Sequence, residues 1–235
     1  GFKTKKEALE FEREFLNKSK MSTDMSFESL IEEYMHDMSS RLKLSTLETK
    51  KYLINFRILP FFKSLKINEI TATHIRRWQN ELLKSDYSQT YIKTINNQLV
   101  AVLNYAVKYY NLLSSTAHLA GSIGKKNADE MNFWTLKEFK KFIEFEKKSE
   151  PRLAFEILFW TGLRLGELLA LTPKDIFENK ISVEKSYIRL NGEDIVSSPK
   201  TPKSKRVVPI PHFLYNNIKD YLSKLYDLKD NERIF

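Results

Sequence analysis

The chain has 235 residues, of which 42% are hydrophobic and 13% aromatic, so it can fold as one large or two small domains. The absence of Cys excludes a disulfide scaffold and a thiolate metal site and favours a reducing compartment. The longest apolar run, residues 153–171, contains Glu156, Arg164 and Glu167, which excludes a membrane span there. With a net charge of +9 and no apolar signal segment at the start, the composition predicts a cytoplasmic protein that does not enter membranes.

The positive charge is concentrated in one third of the chain. Residues 41–110 contain 12 of the 39 Lys and Arg residues but only 4 of the 30 Asp and Glu residues, so they carry +8 of the net +9. A solvated basic surface would account for this excess. Charge concentrated in one segment instead favours a module that binds a polyanion.

The first part of the chain predicts a compact helical domain. Residues 1–20 form a charged helical pattern, expected to be a linker or the remnant of a preceding domain. Four helices should each begin at a capping side chain: Ser26, Ser45, Thr71 and Ser88. Ser45 is expected to form a capping box with Glu48, and Pro60 is expected to end the second helix. The prediction is an all-α domain over residues 21–120 and a Gly-containing linker over residues 121–130.

The second part, residues 131–235, predicts a domain of helices and short strands. Its first helix should begin with a capping box of Thr135 and Glu138, next to a hydrophobic staple of Trp134 and Phe139. After a second helix, the pattern ISVEKSYIRL alternates as a strand does, and Asn-Gly is a strong hairpin turn. EDIVSS and RVVPIP are the next two strands, and a helix follows. The fold class is mainly α with a small antiparallel β-sheet.

Arg164 lies between two glycines in the most apolar stretch of the chain, FWTGLRLGELLALTP. A structural explanation is that Arg164 pairs with Glu167 or binds carbonyl groups at a helix end. A functional explanation is that the loop presents the guanidinium in a cleft, where its rigid and permanently charged fork suits two phosphate oxygens. The local sequence leaves both explanations open.

Two segments resemble motifs of the tyrosine recombinases, the phage-integrase family. TGLRLGELLALTPKDI resembles the first arginine box, and SSPKTPKSKRVVPIP, which places Lys200 36 residues after Arg164, resembles the lysine hairpin. The helices before them resemble the core-binding domain, and residues 1–20 resemble the end of the arm-binding domain. The resemblance covers essentially the whole chain. It implies a four-helix core-binding domain followed by the N-terminal part of an α+β catalytic domain.

The resemblance also implies a site-specific DNA recombinase that works through a 3′-phosphotyrosyl intermediate. In this family scheme Arg164 clamps the scissile phosphate, Lys200 is the general acid for the 5′-oxygen, and Glu167 orients the arginine loop. Lys203 is the alternative general acid, and Lys200 is preferred because it directly precedes Thr201 as in the family motif. No metal or other cofactor is implied, since the cations are side chains.

The resemblance is incomplete at one end. The family has a His-x-x-Arg box and a nucleophilic Tyr after the lysine hairpin, and this sequence has neither box nor matching Tyr there. The match at residues 74–77 precedes Arg164 by 90 residues and is interpreted as a coincidence, and three later tyrosines are interpreted as core or surface residues: Tyr215, Tyr221 and Tyr226. An internal fragment that binds DNA weakly without cutting it is therefore expected. It should be a monomer in solution, whereas the full-length protein should form a tetramer on DNA.

Double-stranded DNA is the partner that the resemblance implies, with most contacts going to phosphates. Gly162 and Gly166 are expected to let the DNA backbone come close to Arg164. The further candidate contacts are Lys43, Thr46, Lys50, Arg57, Arg76, Lys93, Lys203, Lys205 and Arg206. Solvated surface charge is the alternative for each, and binding by residues 21–126 should weaken steeply with salt. Two other classes stay open: a non-catalytic DNA-binding protein derived from an integrase, and a basic protein-interaction module.

Overall fold

The computed structural model describes residues 23–128, 130–198 and 204–235. The chain divides into two compact units, with the division between Glu130 and Met131. Lys200 and Lys203 lie outside the described residues, as do residues 1–22. Each unit has its own cluster of buried hydrophobic side chains, so each is built around a separate core.

The first unit is helical, and three of its helices begin as predicted. The side chains of Ser26, Thr71 and Ser88 each accept a hydrogen bond from the backbone N–H three residues on, which caps the helices that follow. The helical elements are α1 (Phe27–Ser39), α2 (Leu44–Leu53), a π-helical turn (Ile54–Ile58), α3 (Leu59–Phe62), a 3₁₀ turn (Ile67–Glu69), α4 (Ala72–Leu83), α5 (Gln89–Tyr109) and α6 (Thr116–Ala120).

The second helix differs from the prediction at both ends. It begins after Lys43 without a side-chain cap, so the predicted capping box at Ser45 does not form. Pro60 does not end the helical backbone, which continues through α3. The reason is the π-helical turn just before it, where the Leu59 N–H donates to the Ile54 carbonyl five residues back. This wider turn shifts the hydrogen-bond register where a proline would otherwise clash with the preceding turn.

The first unit also extends past residue 120, into the segment that was predicted to be a linker. Ile123 is buried in its core, together with two small side chains of α6. The Gln79 side chain donates to the Gly121 carbonyl at 2.8 Å and to the Asn96 side chain at 3.0 Å. At Gly124 a Cβ would come within 2.4 Å of the Gln89 carbonyl oxygen, so only glycine fits there. The glycines of this segment thus allow close packing against the helices.

The described residues of the second unit form helices and five short strands, and the capping box of Thr135 and Glu138 forms as predicted. The staple differs, because the Trp134 ring contacts Phe142 at 4.5 Å between centroids, while Phe139 stacks on Phe159 at 3.8 Å. The elements are α7 (Leu136–Phe145), α8 (Ser149–Thr161), α9 (Leu165–Leu168), a 3₁₀ turn (Pro173–Asp175), β1 (Ile176–Phe177), β2 (Lys180–Val183), β3 (Ser186–Leu190), β4 (Glu193–Ser197), β5 (Arg206–Pro209) and α10 (His212–Ser223).

The described strands form two antiparallel sheets rather than one. β1, β2 and β5 form a three-stranded sheet, and β3 pairs with β4 as a hairpin. The single strand predicted across residues 181–190 is interrupted at Lys185, whose ammonium binds the Asp175 carboxylate at 2.8 Å. The predicted turn is present, since Asn191 and Gly192 both have positive φ, as a two-residue type I′ turn requires. The fold class, mainly α with a small antiparallel β component, is confirmed.

Candidate functional site

The loop that carries Arg164 is anchored at both ends. α8 stops at Gly162, whose φ of 63° is left-handed and whose N–H donates to the Leu158 carbonyl at 3.0 Å. Arg164 then begins α9, its carbonyl accepting from the Leu168 N–H at 3.0 Å. Leu163 and Leu168 are buried in the second core, whereas the Arg164 side chain is 76% exposed. The loop therefore holds a rigid backbone beneath an accessible guanidinium.

Glu167 lies beneath this guanidinium and binds two arginines. Its side chain is 5% exposed. Its carboxylate accepts from the Arg164 backbone N–H at 2.9 Å and from Arg164 Nη1 at 3.0 Å. Arg206 adds two parallel hydrogen bonds, Nη2 to Oε2 at 2.8 Å and Nη1 to Oε1 at 3.1 Å. This is the bidentate arrangement in which charge-assisted hydrogen bonds are strongest.

The environment keeps Glu167 ionised. The hydrogen bonds from Arg206, and then those from Arg164, lower the pKa of Glu167 to about 2, against the effect of burial, which would raise it. The same ion pair raises the pKa of Arg206. The site is thus a buried anion between two cations, one of which is largely exposed.

Both explanations of Arg164 are compatible with this geometry. Arg164 pairs with Glu167, as the structural explanation requires. Among the described residues, Glu167 is the hydrogen-bond partner of the Arg164 side chain, through the single nitrogen Nη1. The remaining N–H groups of a planar fork with five donors are therefore not used by that contact, and an anion could accept from them.

The two glycines beside Arg164 have roles within the protein itself, and the expectation that they admit the DNA backbone stays a prediction. Gly162 supplies the left-handed conformation that ends α8. Gly166 lies against β3, where a Cβ would come within 2.7 Å of both the Tyr187 carbonyl oxygen and the Ser186 hydroxyl. The close approach that requires glycine at position 166 is between α9 and its own hairpin.

Two candidate contacts of the lysine motif, Lys205 and Arg206, lie among the described residues. Lys205 is exposed, as expected of a contact to a partner. In the structure the Arg206 guanidinium binds Glu167, and the DNA backbone contact expected of Arg206 stays a prediction. No local pattern indicates this pair, because the two residues are 39 positions apart and a basic residue in a basic motif predicts a surface charge.

Two candidate contacts in the first unit have aromatic neighbours. Lys50 donates to the Tyr34 hydroxyl at 2.8 Å and to the Gln98 side chain at 2.7 Å. The Arg57 guanidinium lies 5.0 Å from the centroid of the Tyr87 ring. A hydrogen bond with Tyr91 raises the pKa of Arg57. Both cations are half-buried, and no local pattern in the sequence identifies their partners.

The remaining candidates of the first unit fall into two groups. Arg76 Nη1 donates to the Ala120 carbonyl at 3.3 Å, and the Lys93 ammonium donates to the Ser122 hydroxyl, so both help to hold the segment after α6. Lys43 and Thr46 are exposed together at the start of α2. Within residues 23–128, 130–198 and 204–235, no group of three or more His, Asp or Glu side chains is arranged to hold a metal ion.

Comparison with known sequences identifies integrases. Residues 26–83 match a family model described as phage integrase, N-terminal SAM-like domain. The ICEBs1 integrase of Bacillus subtilis (strain 168) is 32% identical over 216 residues, which cover 88% of this chain and 58% of that protein. A XerC-like tyrosine recombinase of Caldanaerobacter subterraneus subsp. tengcongensis is 29% identical over 94% of this chain and 63% of its own length. The chain thus spans about three fifths of the length of these relatives.

Comparison with solved structures identifies the same fold. The Tn1549 transposon integrase in complex with a circular intermediate DNA has a TM-score of 0.75 at 19% identity, covering 87% of this chain and 67% of that one. A lambda integrase dimer bound to a COC′ core site has a TM-score of 0.68 at 18% identity, covering 90% of this chain and 59% of that one. These scores define a tyrosine-recombinase fold. The sequence and structure comparisons thus support the resemblance of the motifs to the tyrosine recombinases, the phage-integrase family.

Within the part of the chain that the structure describes, no helix combines the length and the hydropathy needed to cross a bilayer.

Proposed function

We propose that this chain is part of a site-specific DNA recombinase, an integrase of a phage or mobile element that acts in the cytoplasm. The observation that carries the proposal is the Arg164 guanidinium, which is 76% exposed yet held from below by the buried Glu167. A cation held in place before the reaction needs little reorganisation when charge develops on the phosphoryl oxygens of a transition state. The DNA-bound structures of the Tn1549 and lambda integrases support DNA as the substrate.

The proposed reaction assigns a role to each motif. A tyrosine hydroxyl attacks the phosphorus of a DNA phosphodiester, forming a 3′-phosphotyrosyl bond and breaking the bond to the 5′-oxygen. Arg164 binds the nonbridging oxygens, and Lys200 gives its proton to the leaving 5′-oxygen, with Lys203 as the alternative donor. The reverse attack by a 5′-hydroxyl rejoins the strands. No metal or cofactor enters this scheme.

The tyrosine is not assigned to a residue of this chain. No His-x-x-Arg box follows the lysine motif in the sequence, so we propose that these 235 residues bind DNA without forming a covalent adduct. The proposed DNA-bound assembly is a tetramer of the complete protein, and this chain alone is proposed to be a monomer.

The proposed DNA contacts differ in how accessible their side chains are to a partner. Lys43, Thr46 and Lys205 are exposed and suit direct phosphate contacts. The other first-unit candidates keep their positions in the proposal, but each would have to leave or share an internal partner to bind DNA: Lys50, Arg57, Arg76 and Lys93. Lys203 is proposed as a further contact where it does not serve as the proton donor.

The test is Arg164→Ala in the complete gene product, assayed with core-site DNA for covalent protein–DNA adduct. We expect adduct formation to fall by about 100-fold or more, with the unfolding temperature unchanged, because one preorganised donor to a transition-state charge is worth that much. Arg189→Ala is the matched control, since Arg189 is an exposed arginine of the β3–β4 hairpin, 3.6 Å from Asp194. Normal adduct formation by folded Arg164→Ala protein would contradict the proposal.

The same assay on the 235-residue chain tests the second part of the proposal. A gel-shift without adduct is the expected result, and a covalent product from this chain would overturn it. A complete gene product that binds the site and forms no adduct would instead identify the non-catalytic DNA-binding alternative.

A further inference from the structure

Arg206 lies at a junction between two parts of the site. It is the first residue of β5, the strand that follows Lys200 and Lys203 in the sequence. Its guanidinium reaches across to the Glu167 carboxylate with the two parallel hydrogen bonds, and Nη1 also contacts the Ser204 carbonyl at 3.3 Å. Its side chain is 33% exposed, so two thirds of its surface is covered by protein. Such partial burial, with two hydrogen-bond partners, is expected of an arginine that holds neighbouring groups in position.

Glu167 depends on Arg206 more than on Arg164. A carboxylate that is 5% exposed is costly to keep ionised unless a cation shares its surroundings. The Arg164 side chain is 76% exposed, so water screens much of its attraction. Arg206 is the less exposed partner and the one that binds both carboxylate oxygens. Among the described residues, removing Arg206 would therefore leave the buried carboxylate with the backbone N–H and one exposed nitrogen of Arg164.

We infer that Arg206 is a positioning residue for Arg164: it fixes the orientation of the Glu167 carboxylate, and this carboxylate fixes the arginine loop. Because Arg206 begins β5, the same contact links the strand at the end of the lysine motif to the loop that carries Arg164. The inference deepens the proposed function and rests on it for the identity of the anion, a DNA phosphate.

A direct DNA contact and a positioning role predict different results. If Arg206 bound a phosphate itself, DNA binding by a variant without it would release about one counterion fewer. The slope of log affinity against log salt would then fall in magnitude by about one. If Arg206 positions Arg164, the salt slope stays the same, whereas the Glu167 titration and the Arg164 guanidinium signals change even without DNA. These last two readouts do not depend on activity.

The experiment compares Arg206→Met and Arg206→Lys in this chain, with Arg189→Met as the matched control. The Glu167 carboxyl is followed by carbon NMR against pH, and Arg164 by nitrogen NMR of its guanidinium. In Arg206→Met we expect the Glu167 midpoint to rise by about one pH unit or more and the Arg164 signals to lose their restrained rotation. Arg206→Lys should lie between Met and wild type, because an ammonium restores charge without the two-pronged geometry. Arg189→Met should match wild type.

The outcome that would overturn the inference is an unchanged Glu167 titration together with unchanged Arg164 signals in Arg206→Met. If that variant does not fold, Arg206→Lys decides the question, and wild-type behaviour of both signals in it would overturn the inference equally. A salt slope for duplex DNA that falls by about one, with Arg164 unaltered, would assign Arg206 to a DNA contact instead. Failure of the wild-type chain to bind duplex DNA would count against the proposed function only, because the DNA-free titration stands apart from it.

Discussion

Glu167 shows how one carboxylate determines what a neighbouring arginine can do. An arginine alone in an apolar loop would fold back onto carbonyl groups or move freely in water. Here a 5% exposed carboxylate holds one nitrogen and the backbone of Arg164, and Arg206 holds the carboxylate. The exposed cation is therefore positioned by a buried anion, and the cost of burying that anion is offset by a second cation.

The first prediction concerns Glu167→Gln. The amide keeps the shape but loses the charge, and its NH₂ group cannot accept from the Arg206 fork. We expect the free energy of unfolding near pH 7 to fall by about 2 kcal/mol, below the cost of breaking a fully buried pair because both arginines are partly exposed. Chemical unfolding monitored by circular dichroism measures the change. Glu138→Gln is the control, since Glu138 forms a similar capping box at an exposed position and should give a smaller loss.

The pH dependence gives Glu167→Gln a second signature. The folded-state pKa of Glu167, about 2, lies below its usual value of 4.5, so its stabilisation is fully present above about pH 4.5 and is lost as the pH falls toward 2. Wild-type protein should lose stability across that window more steeply than Glu167→Gln protein. Parallel profiles for the two proteins would contradict the assignment of this shift to Glu167.

Among the secondary-structure elements, the contact between α9 and β3 requires a glycine in α9. Gly166 brings a four-residue helix against the backbone of Tyr187, which is paired with β4 and cannot move without breaking its ladder. Between α2 and α3, the comparable irregularity is the π-helical turn that accommodates Pro60. In both places the element departs from its ideal form because a neighbouring backbone or ring requires it.

The second prediction concerns Gly166→Ala. In an exposed helix this change would stabilise by about 1 kcal/mol through helix propensity. At this position the new Cβ would lie 2.7 Å from the Tyr187 carbonyl oxygen, and overpacking of this kind costs about 1–3 kcal/mol. We expect the clash to win, so that thermal unfolding shifts to lower temperature. Leu165→Ala, an exposed neighbour in the same helix, should change little, and a Gly166→Ala protein as stable as wild type would disprove the contact.

For the whole molecule, the net positive charge is divided much less evenly between the two units than the residues are. The chain forms two units of similar size, yet residues 41–110, all in the first, carry +8 of the net +9. Several of these charges are engaged internally, as Lys50 and Arg76 show, so net charge overstates the number of available contacts. In the proposed function, the exposed cations are the ones that would set the salt dependence of DNA binding.

The third prediction is that binding of duplex DNA by the whole chain weakens by about 100-fold between 50 and 200 mM salt, as expected for about four phosphate contacts. Lys43→Ala should reduce the salt slope by about one, because Lys43 is exposed at the start of α2. Lys180→Ala, an exposed lysine of β2, serves as the control and should leave the slope unchanged. A flat response to salt would remove the phosphate contacts from the proposal.

The fourth prediction concerns the segment between the units. Lys125 and Lys126 are exposed and follow Ile123, the last core residue of the first unit. Limited trypsin digestion should therefore cut there first, giving two fragments that mass spectrometry identifies. A Lys125→Ala, Lys126→Ala double variant should slow that cut. First cuts within α4 or α5 would contradict the division into two units.

Local interactions made much of this protein predictable from its sequence. Ser26, Thr71, Ser88 and Thr135 cap their helices because a cap needs only the next three residues, and Asn191-Gly192 forms its turn because two adjacent residues supply the positive φ. The two motifs around Arg164 and Lys200 carried the resemblance to the tyrosine recombinases for a similar reason, since each is a short contiguous pattern. These features depend on neighbours in the chain.

The tertiary structure decided where distant side chains meet. Arg206 binds Glu167 across 39 positions, and Lys50 binds Gln98 across 48, although both cations were predicted to face DNA. The pattern ISVEKSYIRL alternates continuously, yet its residues belong to two different sheets. Lys185, which lies between the two strands, binds Asp175. The physical reason is the same in each case: a charged or strand-forming residue favours a class of partner, and only packing selects which one lies within reach.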